Sequence, residues 1–314
     1  MKNILKILLL LIVFYSCTDN KIKIHRYERA FMEIDTTNVA RNLHQLAKEY
    51  PPFLEGVVVN ENTIENVKSF VEDTLAIAVL NDINKKYPHL NKEEKMLGNA
   101  LSHYRQTFHN DSILPDVYTF LSYFDYEGRI VFGSNFLLMA LDMYLGADYP
   151  RYLEMGIPRY MSCRLERQNM LSDAMRAIAM TELGNEQPSS TFVDNMILQG
   201  KIVCFLEEML PEIPLEYHLG YTKQQLRYCD KNAEAMWAFL ASENLFFSED
   251  FFQMRKFFGE SPTIGNFPNS PGRIGWYFGY KIVKKYREKT GVSLKQLFDN
   301  QDSRGVFNAS AYRP

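Results

Sequence analysis

The chain has 314 residues and carries 35 lysines and arginines against 38 aspartates and glutamates, a net charge of −3. That mildly acidic balance argues against nucleic acid, or an anionic lipid surface, as the main partner. Apolar residues make up 46% and aromatic residues 14% of the chain, with 22 Phe and 19 Tyr, enough for a thick core in one large domain or two fused lobes.

The first twenty residues, MKNILKILLLLIVFYSCTDN, place Lys2 and Lys6 ahead of an apolar run from Ile7 to Tyr15. A charged and then apolar start ending at a small residue reads as an export signal rather than part of the fold. The run is about ten residues, whereas a helix needs roughly 20 to cross a bilayer, so no permanent span is expected there. Ser16-Cys17 resembles the lipobox cut by signal peptidase II, with Phe14 and Tyr15 in place of the usual Leu and small residue. The expected organisation is a lipoprotein signal peptide at 1–16, a lipidated tether at 17–25 beginning with diacylglyceryl-modified Cys17, and a single domain at 26–314. An ordinary signal peptide with an incidental cysteine is the alternative. More than one acyl chain on Cys17 suffices for stable anchoring to membrane lipid. Thr18 rather than Asp after the cysteine favours, by resemblance to the enterobacterial sorting rule, the outer membrane over the inner, at the periplasmic face or the surface. Loss of 1–16 removes two lysines and takes the net charge to −5.

The remainder reads as mostly helical. Val39–Tyr50 carries Leu43, Leu46 and Tyr50 on one stripe and stops at Pro51-Pro52. Ile64 to Tyr87 repeats apolar residues at helical spacing up to Pro88, and Asn91 with Glu94 predicts a capping box for a helix to about Phe108. The middle changes character. Asp116–Tyr123, Arg129–Phe132 and Asn135–Tyr144 are β-branched or aromatic around an Glu127-Gly128 turn, which predicts a small antiparallel sheet and an α+β class. Helices then resume at Pro158–Arg167, Met170–Leu183, Thr191–Leu210, Thr222–Ala241 and Ser248–Phe258. Ser270-Pro271 predicts the start of a last long helix with Pro at its first position and Gly291 past its end. Lys281, Lys284, Lys285, Arg287 and Lys289 crowd its C-terminal half, where they complement the helix dipole and read as a solvated face.

Motifs that carry chemistry are missing. His25, His44, His89, His103, His109 and His218 form no i, i+4 pair, and there is no H-E-x-x-H, G-x-S-x-G, P-loop or G-x-G-x-x-G. Beyond Cys17 the cysteines are Cys163, Cys204 and Cys229, with no Cys-x-x-Cys; three buried thiols fit better than one disulfide and a leftover thiol. No cofactor, no metal and no catalytic residue is expected.

Two segments stand out instead. In SPGRIGWYFGYKIVKKY, Gly275 and Gly279 share a helix face, each at a cost of about 1 kcal/mol in helix propensity. A second backbone or a ligand approaching closely would offset that cost. Trp276 and Tyr280 form an aromatic stripe beside them, and Arg273 in the first turn calls for a fixed acidic partner against the dipole. On the preceding long helix, polar Gln199 interrupts the stripe of Met196, Gly200, Val203 and Cys204. Close helix packing and a partner-binding groove both account for these residues.

Ser134–Gly146 (SNFLLMALDMYLG), Pro158–Tyr160, Asp194–Leu210 and Pro271–Tyr286 together resemble the gliding-motility-associated lipoprotein GldB family of Bacteroidetes. That family is in turn similar to zinc-dependent peptidases of the zincin type. Those enzymes carry H-E-x-x-H on a helix after a strand, and a Glu beside a Gly on a later helix. Here Met170–Leu183 holds no histidine, and Gln199-Gly200 stands where Glu-Gly would be expected. The resemblance therefore implies a zincin-like scaffold without its metal centre, anchored in the cell envelope. It also implies support of gliding motility, or of the associated secretion machinery, through binding an envelope protein partner. The groove would be walled by the sheet edge and the Arg273–Tyr280 helix. An active envelope hydrolase with an atypical or absent metal site is the alternative function.

Overall fold

The computed structural model describes residues 20–109, 113–184, 191–265 and 267–314. The expected signal peptide, Cys17 and the start of the expected tether lie outside the described residues. Ile24–Arg26, at the end of the stretch expected as a tether, is strand β1. It is tied down from below: Ile22 N donates to the Glu94 carbonyl (3.3 Å) and Ile24 N to the Glu94 carboxylate (3.2 Å).

Five helices follow: α1 (Tyr27–Met32), α2 (Val39–Glu49), α3 (Pro51–Leu54), α4 (Glu61–Val71) and α5 (Thr74–Lys86). Ile34, Val39, Leu43, Leu54, Val67 and Val71 form a small core of their own, onto which Tyr27 and Phe53 pack. The single helix predicted over 64–87 is two. Asp73 leaves the helix (ψ 123°) and its carboxylate caps α5 by accepting from Ala76 N at 2.7 Å, a start signal hidden inside one continuous apolar stripe. Helix α6 (Asn91–Phe108) begins where expected, but without the predicted capping box. Glu94 is used instead by Ile24 and by Lys21 (3.0 Å).

The sheet corrects the antiparallel reading. Its strands β1, β2 (Asp116–Phe120), β3 (Ile130–Phe132) and β4 (Phe136–Ala140) lie in the order β1-β2-β4-β3. Only β3 and β4 are antiparallel; β1/β2 and β2/β4 are parallel. The local hairpin was legible in sequence. The reversal after β2 was not. There Tyr123 and Phe124 adopt left-handed backbone (φ 63° and 67°). The fully buried Asp142 holds that reversal, accepting from Ser122 N (3.0 Å), Ser122 Oγ (2.9 Å) and Phe124 N (2.8 Å).

Short helices α7 (Pro150–Glu154) and α8 (Arg159–Ser162) lead into α9 (Arg167–Glu182), so the helix predicted over 158–167 shrinks to one turn. Helix α10 (Phe192–Met209) starts in a reciprocal capping box between Thr191 and Asp194. After α11 (Leu215–Leu219), the predicted Thr222–Ala241 helix breaks at Asn232 into α12 (Lys223–Lys231) and α13 (Ala233–Ser242). Next come α14 (Phe251–Phe258), α15 (Ile274–Thr290), α16 (Leu294–Asp299) and α17 (Ser303–Ser310), the last two not foreseen.

Helix α15 starts later than predicted. Pro271 lies outside it, and Arg273 is the N-cap residue in left-handed backbone (φ 58°), while Gly291 ends the helix as expected (φ 70°). Its basic half is not simply a solvated face. Lys285 and Lys289 donate to the Ala311 and Ala309 carbonyls at the end of α17 (3.3 and 2.8 Å), while Lys281, Lys284 and Arg287 pair with Asp230, Glu207 and Glu208. Helices α10 and α15 lie side by side at the centre of the main core. The three cysteines after Cys17 are free thiols, Cys204 and Cys229 buried and Cys163 only half-buried.

Candidate functional site

Helix α9 lies inside the main core, so its polar residues must find partners there. It buries Ser172, Asp173 and Arg176 together with Met170, Ala174, Met175 and Ile178. Arg164 reaches Asp173 from the turn before α9 (2.5 Å), Arg129 from the turn before β3 (3.2 Å), and Tyr144 donates to the same carboxylate (2.9 Å). The other side of Arg164 meets Glu260 at 2.8 Å. Glu260, in the irregular segment between α14 and α15, also pairs with Arg273 and accepts from the Tyr126 hydroxyl at 2.7 and 2.8 Å. Two carboxylates are thus laced through three arginines, and a fourth lies beside them.

Arg176 is the exception. Its guanidinium donates to Gln199 Oε1 (3.1 Å) and the His218 carbonyl (2.7 Å), both neutral acceptors, and lies over the Trp276 ring at 4.1 Å. Arg273 lies over the same ring at 4.6 Å, so one indole serves two guanidiniums. The electrostatics follow from this uneven supply of anions. Burial alone would raise the Asp173 carboxyl, but Arg164, Arg129 and Arg176 outweigh it and hold it at about 2. Burial, and then the Arg164 charge, draw the Arg176 guanidinium down to about 9. Arg176 therefore stays charged at neutral pH. Beside it, His218 Nδ1 meets Ser172 Oγ at 2.9 Å, and burial, followed by the Arg176 charge, lowers the imidazole to about 4. The His218 ring is neutral at physiological pH.

The residues singled out in sequence separate into two groups. Arg273, Trp276 and Gln199 belong to the arginine cluster, and Arg273 has in Glu260 the acidic partner its position called for. Gly200 and Gly279 do not line a groove: the Gly279 carbonyl lies against Gly200, and the Met196 carbonyl against Gly279. Gly275 lies under the Phe258 ring. Tyr280 is elsewhere again, donating to Glu207 at 2.8 Å. The glycine face is thus the seam between α10, α15 and α14, and the expectation of a groove on it is corrected. Arg129, Arg164, Asp173, Arg176 and Glu260 went unnoticed in sequence, and His218 was weighed only for metal pairing. The available signal was Asp173 and Arg176 within an otherwise apolar helix.

A divalent cation does not suit this cluster. Among the described residues there is no group of three or more His, Cys, Asp or Glu side chains placed to hold one, and the groups that converge here are guanidiniums, which repel it. The arrangement is suited to anions.

The family of the gliding motility protein GldB matches residues 15–314. The chain belongs to that family. This GldB-family chain is accordingly a gliding-motility-related protein associated with the cell envelope. No helix among its described residues is long and apolar enough to cross a membrane. No curated protein and no solved structure shows a significant match to it.

Proposed function

We propose that this GldB-family protein is held on the envelope, with the outer membrane favoured, by a lipid on Cys17. There it supports gliding motility, or secretion coupled to it, by binding a partner polypeptide rather than by catalysis. The supporting observation is the buried arginine cluster on α9. Ser172-Asp173-Ala174-Met175-Arg176 has the spacing of H-E-x-x-H, and Arg176 reaches Gln199 on α10, where a zincin's third ligand would reach its metal. On this reading the scaffold is that of a zincin-type peptidase in which a buried arginine, hydrogen-bonded to neutral acceptors, replaces the metal site. A guanidinium can stand where a dication stood, as a fixed positive charge that makes hydrogen bonds but generates no hydroxide.

The test uses the full lipidated chain purified in mild detergent, assayed for bound metal and for cleavage of a mixed peptide library. Sub-stoichiometric zinc and background cleavage are expected. Equimolar zinc with chelator-sensitive cleavage would overturn the reading in favour of an envelope hydrolase. In cells, Cys17→Ala is expected to release the protein from the membrane fraction and impair gliding; normal gliding with a released protein would remove the anchor from the mechanism.

A further inference from the structure

Gly98, inside α6, lies directly under the main chain of Asn20. A Cβ there would meet the Asn20 carbonyl oxygen well inside contact distance, and because the obstacle is backbone no rotamer change would make room. From this crossing onward the chain is pinned along α6. Lys21 Nζ reaches the Glu94 carboxylate at 3.0 Å and Asn91 Oδ1 at 3.4 Å. Ile22 N then donates to the Glu94 carbonyl (3.3 Å) and Ile24 N to the Glu94 carboxylate (3.2 Å). Ile22 and Ile24 pack on the main core, while the alternate residues Lys21 and Lys23 are exposed, as the period of an extended chain requires.

The crossing sets the length of the leash. Cys17 precedes Asn20 by three residues, which span about 11 Å at full extension. Were β1 the first fixed point, seven residues would separate it from Cys17, and the reach would be about 25 Å. A lipid on Cys17 therefore holds the Gly98 face of α6 at a distance on the order of one Debye length from the headgroups. Exposed beside the crossing are Lys95, about 4.5 Å along the helix axis from Gly98, and Lys92, one turn further on. Lys23, Lys92 and Lys95 have no ion-pair partner among the described residues. The acidic residues on the same turns do not cancel them: Glu93 is buried against Arg167, and Glu94 serves Lys21 and Ile24. The carboxylates of Glu49 and Asp116 lie on the His25 side and offset Lys23 in part.

We propose that the face of α6 and its overlying chain that carries Lys21, Lys23, Lys92 and Lys95 docks on anionic phospholipid headgroups of the leaflet holding the Cys17 acyl chains. The body then sits on the membrane in one orientation instead of swinging on its tether. This inference rests on the reading of Cys17 as a lipid anchor and adds to it the surface that meets the bilayer. The acyl chains supply attachment and the lysines supply direction. Attraction of a lysine to an anionic surface falls off within a Debye length, so only cations held this close to the anchor contribute. The chain as a whole is acidic, and the same surface repels its other faces, which favours the same orientation.

The experiment reconstitutes the full lipidated chain into vesicles of phosphatidylcholine mixed with phosphatidylglycerol, and of phosphatidylcholine alone. Flotation reads attachment. Acetylation of lysines by a water-soluble ester, followed by mass spectrometry, reads orientation, with exposed Lys223 and Lys231 on α12 as the reference. In the mixed vesicles the four lysines are expected to react at least about fivefold more slowly than the reference pair, the factor that the attraction of one lysine to such a surface supplies. Gly98→Ala favours the helix but closes the crossing, so it is expected to keep flotation and lose most of that protection. Lys92→Gln combined with Lys95→Gln is expected to lower the protection of Lys21 and Lys23 in the mixed vesicles only. Flotation with uniform lysine reactivity would keep the anchor and overturn the docked orientation. Equal protection in both kinds of vesicle would overturn the headgroup-charge assignment, and full protection in Gly98→Ala would overturn the leash. A native chain that does not float would remove the anchor reading, and the proposal with it.

Discussion

Gln199 and Gly200 are neighbours on α10, yet they face two different kinds of seam. Gly200 looks toward α15 and meets the Gly279 backbone. Gln199 looks toward α9 and accepts from a buried arginine. The first seam is dry, defined by shape, and tolerant of nothing larger than hydrogen. The second is polar, built around charge, and left with a surplus of cations. A helix pair packed backbone to backbone is rigid and specifies the fold, whereas an unbalanced buried charge cluster costs stability wherever its charges are left uncompensated. Neither glycines nor charges alone mark function; what distinguishes the seams is whether the local requirements are already satisfied internally.

The sharpest way to break the comparison is to strip the charged seam of its inner anion. Asp173→Asn leaves Arg164 and Arg129 facing an amide and is expected to cost about 3–5 kcal/mol in chemical unfolding. A loss below about 1 kcal/mol would show that water already compensates these arginines. Acid probes the same seam without mutation. His218 is held neutral, lowered from 6.5 to about 4, so the unfolded chain takes up a proton at that ring before the folded chain does. Stability is therefore full above about pH 6.5 and is expected to fall by roughly 3 kcal/mol as the pH drops through about 4. Asp173, lowered to about 2, adds a second loss between about pH 4 and 2. His218→Asn should flatten the first of these two phases in stability measured against pH.

The dry seam should respond to volume and not to pH. Gly279→Ala places a methyl against the Met196 carbonyl and is expected to cost about 1–3 kcal/mol, with the pH profile unchanged. A neutral result would mean that α15 can slide on α10. The smallest effect is reserved for a surface pair: Arg159 and Asp148 meet at 2.7 Å but are 81% and 77% exposed, so Arg159→Ala should shift stability by less than about 0.5 kcal/mol.

Much of this was legible beforehand, and what was missed follows a pattern. Helix α2, helix α6 and the start of α10 were readable because apolar periodicity and punctuation by Pro, Thr and Asp act within a turn or two. The break at Asp73 was hidden because α4 and α5 continue one apolar stripe across it. The parallel pairings of β2 were hidden because β1 comes from some ninety residues upstream, Ile24 opposite Val117. Arg273 was suspected from its place against the helix dipole, and the structure supplied Glu260 as its partner. Arg129 and Arg164 carried no comparable local signal, since each sits in a turn where an arginine is ordinary.

By itself the sequence determined the elements that are bounded by their own residues: the export-signal pattern at the start, most of the long helices though not all of their caps, the β3–β4 hairpin, and membership of a family that spans the chain. Tertiary structure alone decided which of the conspicuous residues share a site. It set Gly279 into Gly200 and away from any groove, and it gathered four arginines from α9, α15 and two turns around two carboxylates. The reason is physical. Helix and turn propensities are interactions over three or four residues, while burial and charge balance are sums over neighbours that the chain brings together only once it has folded.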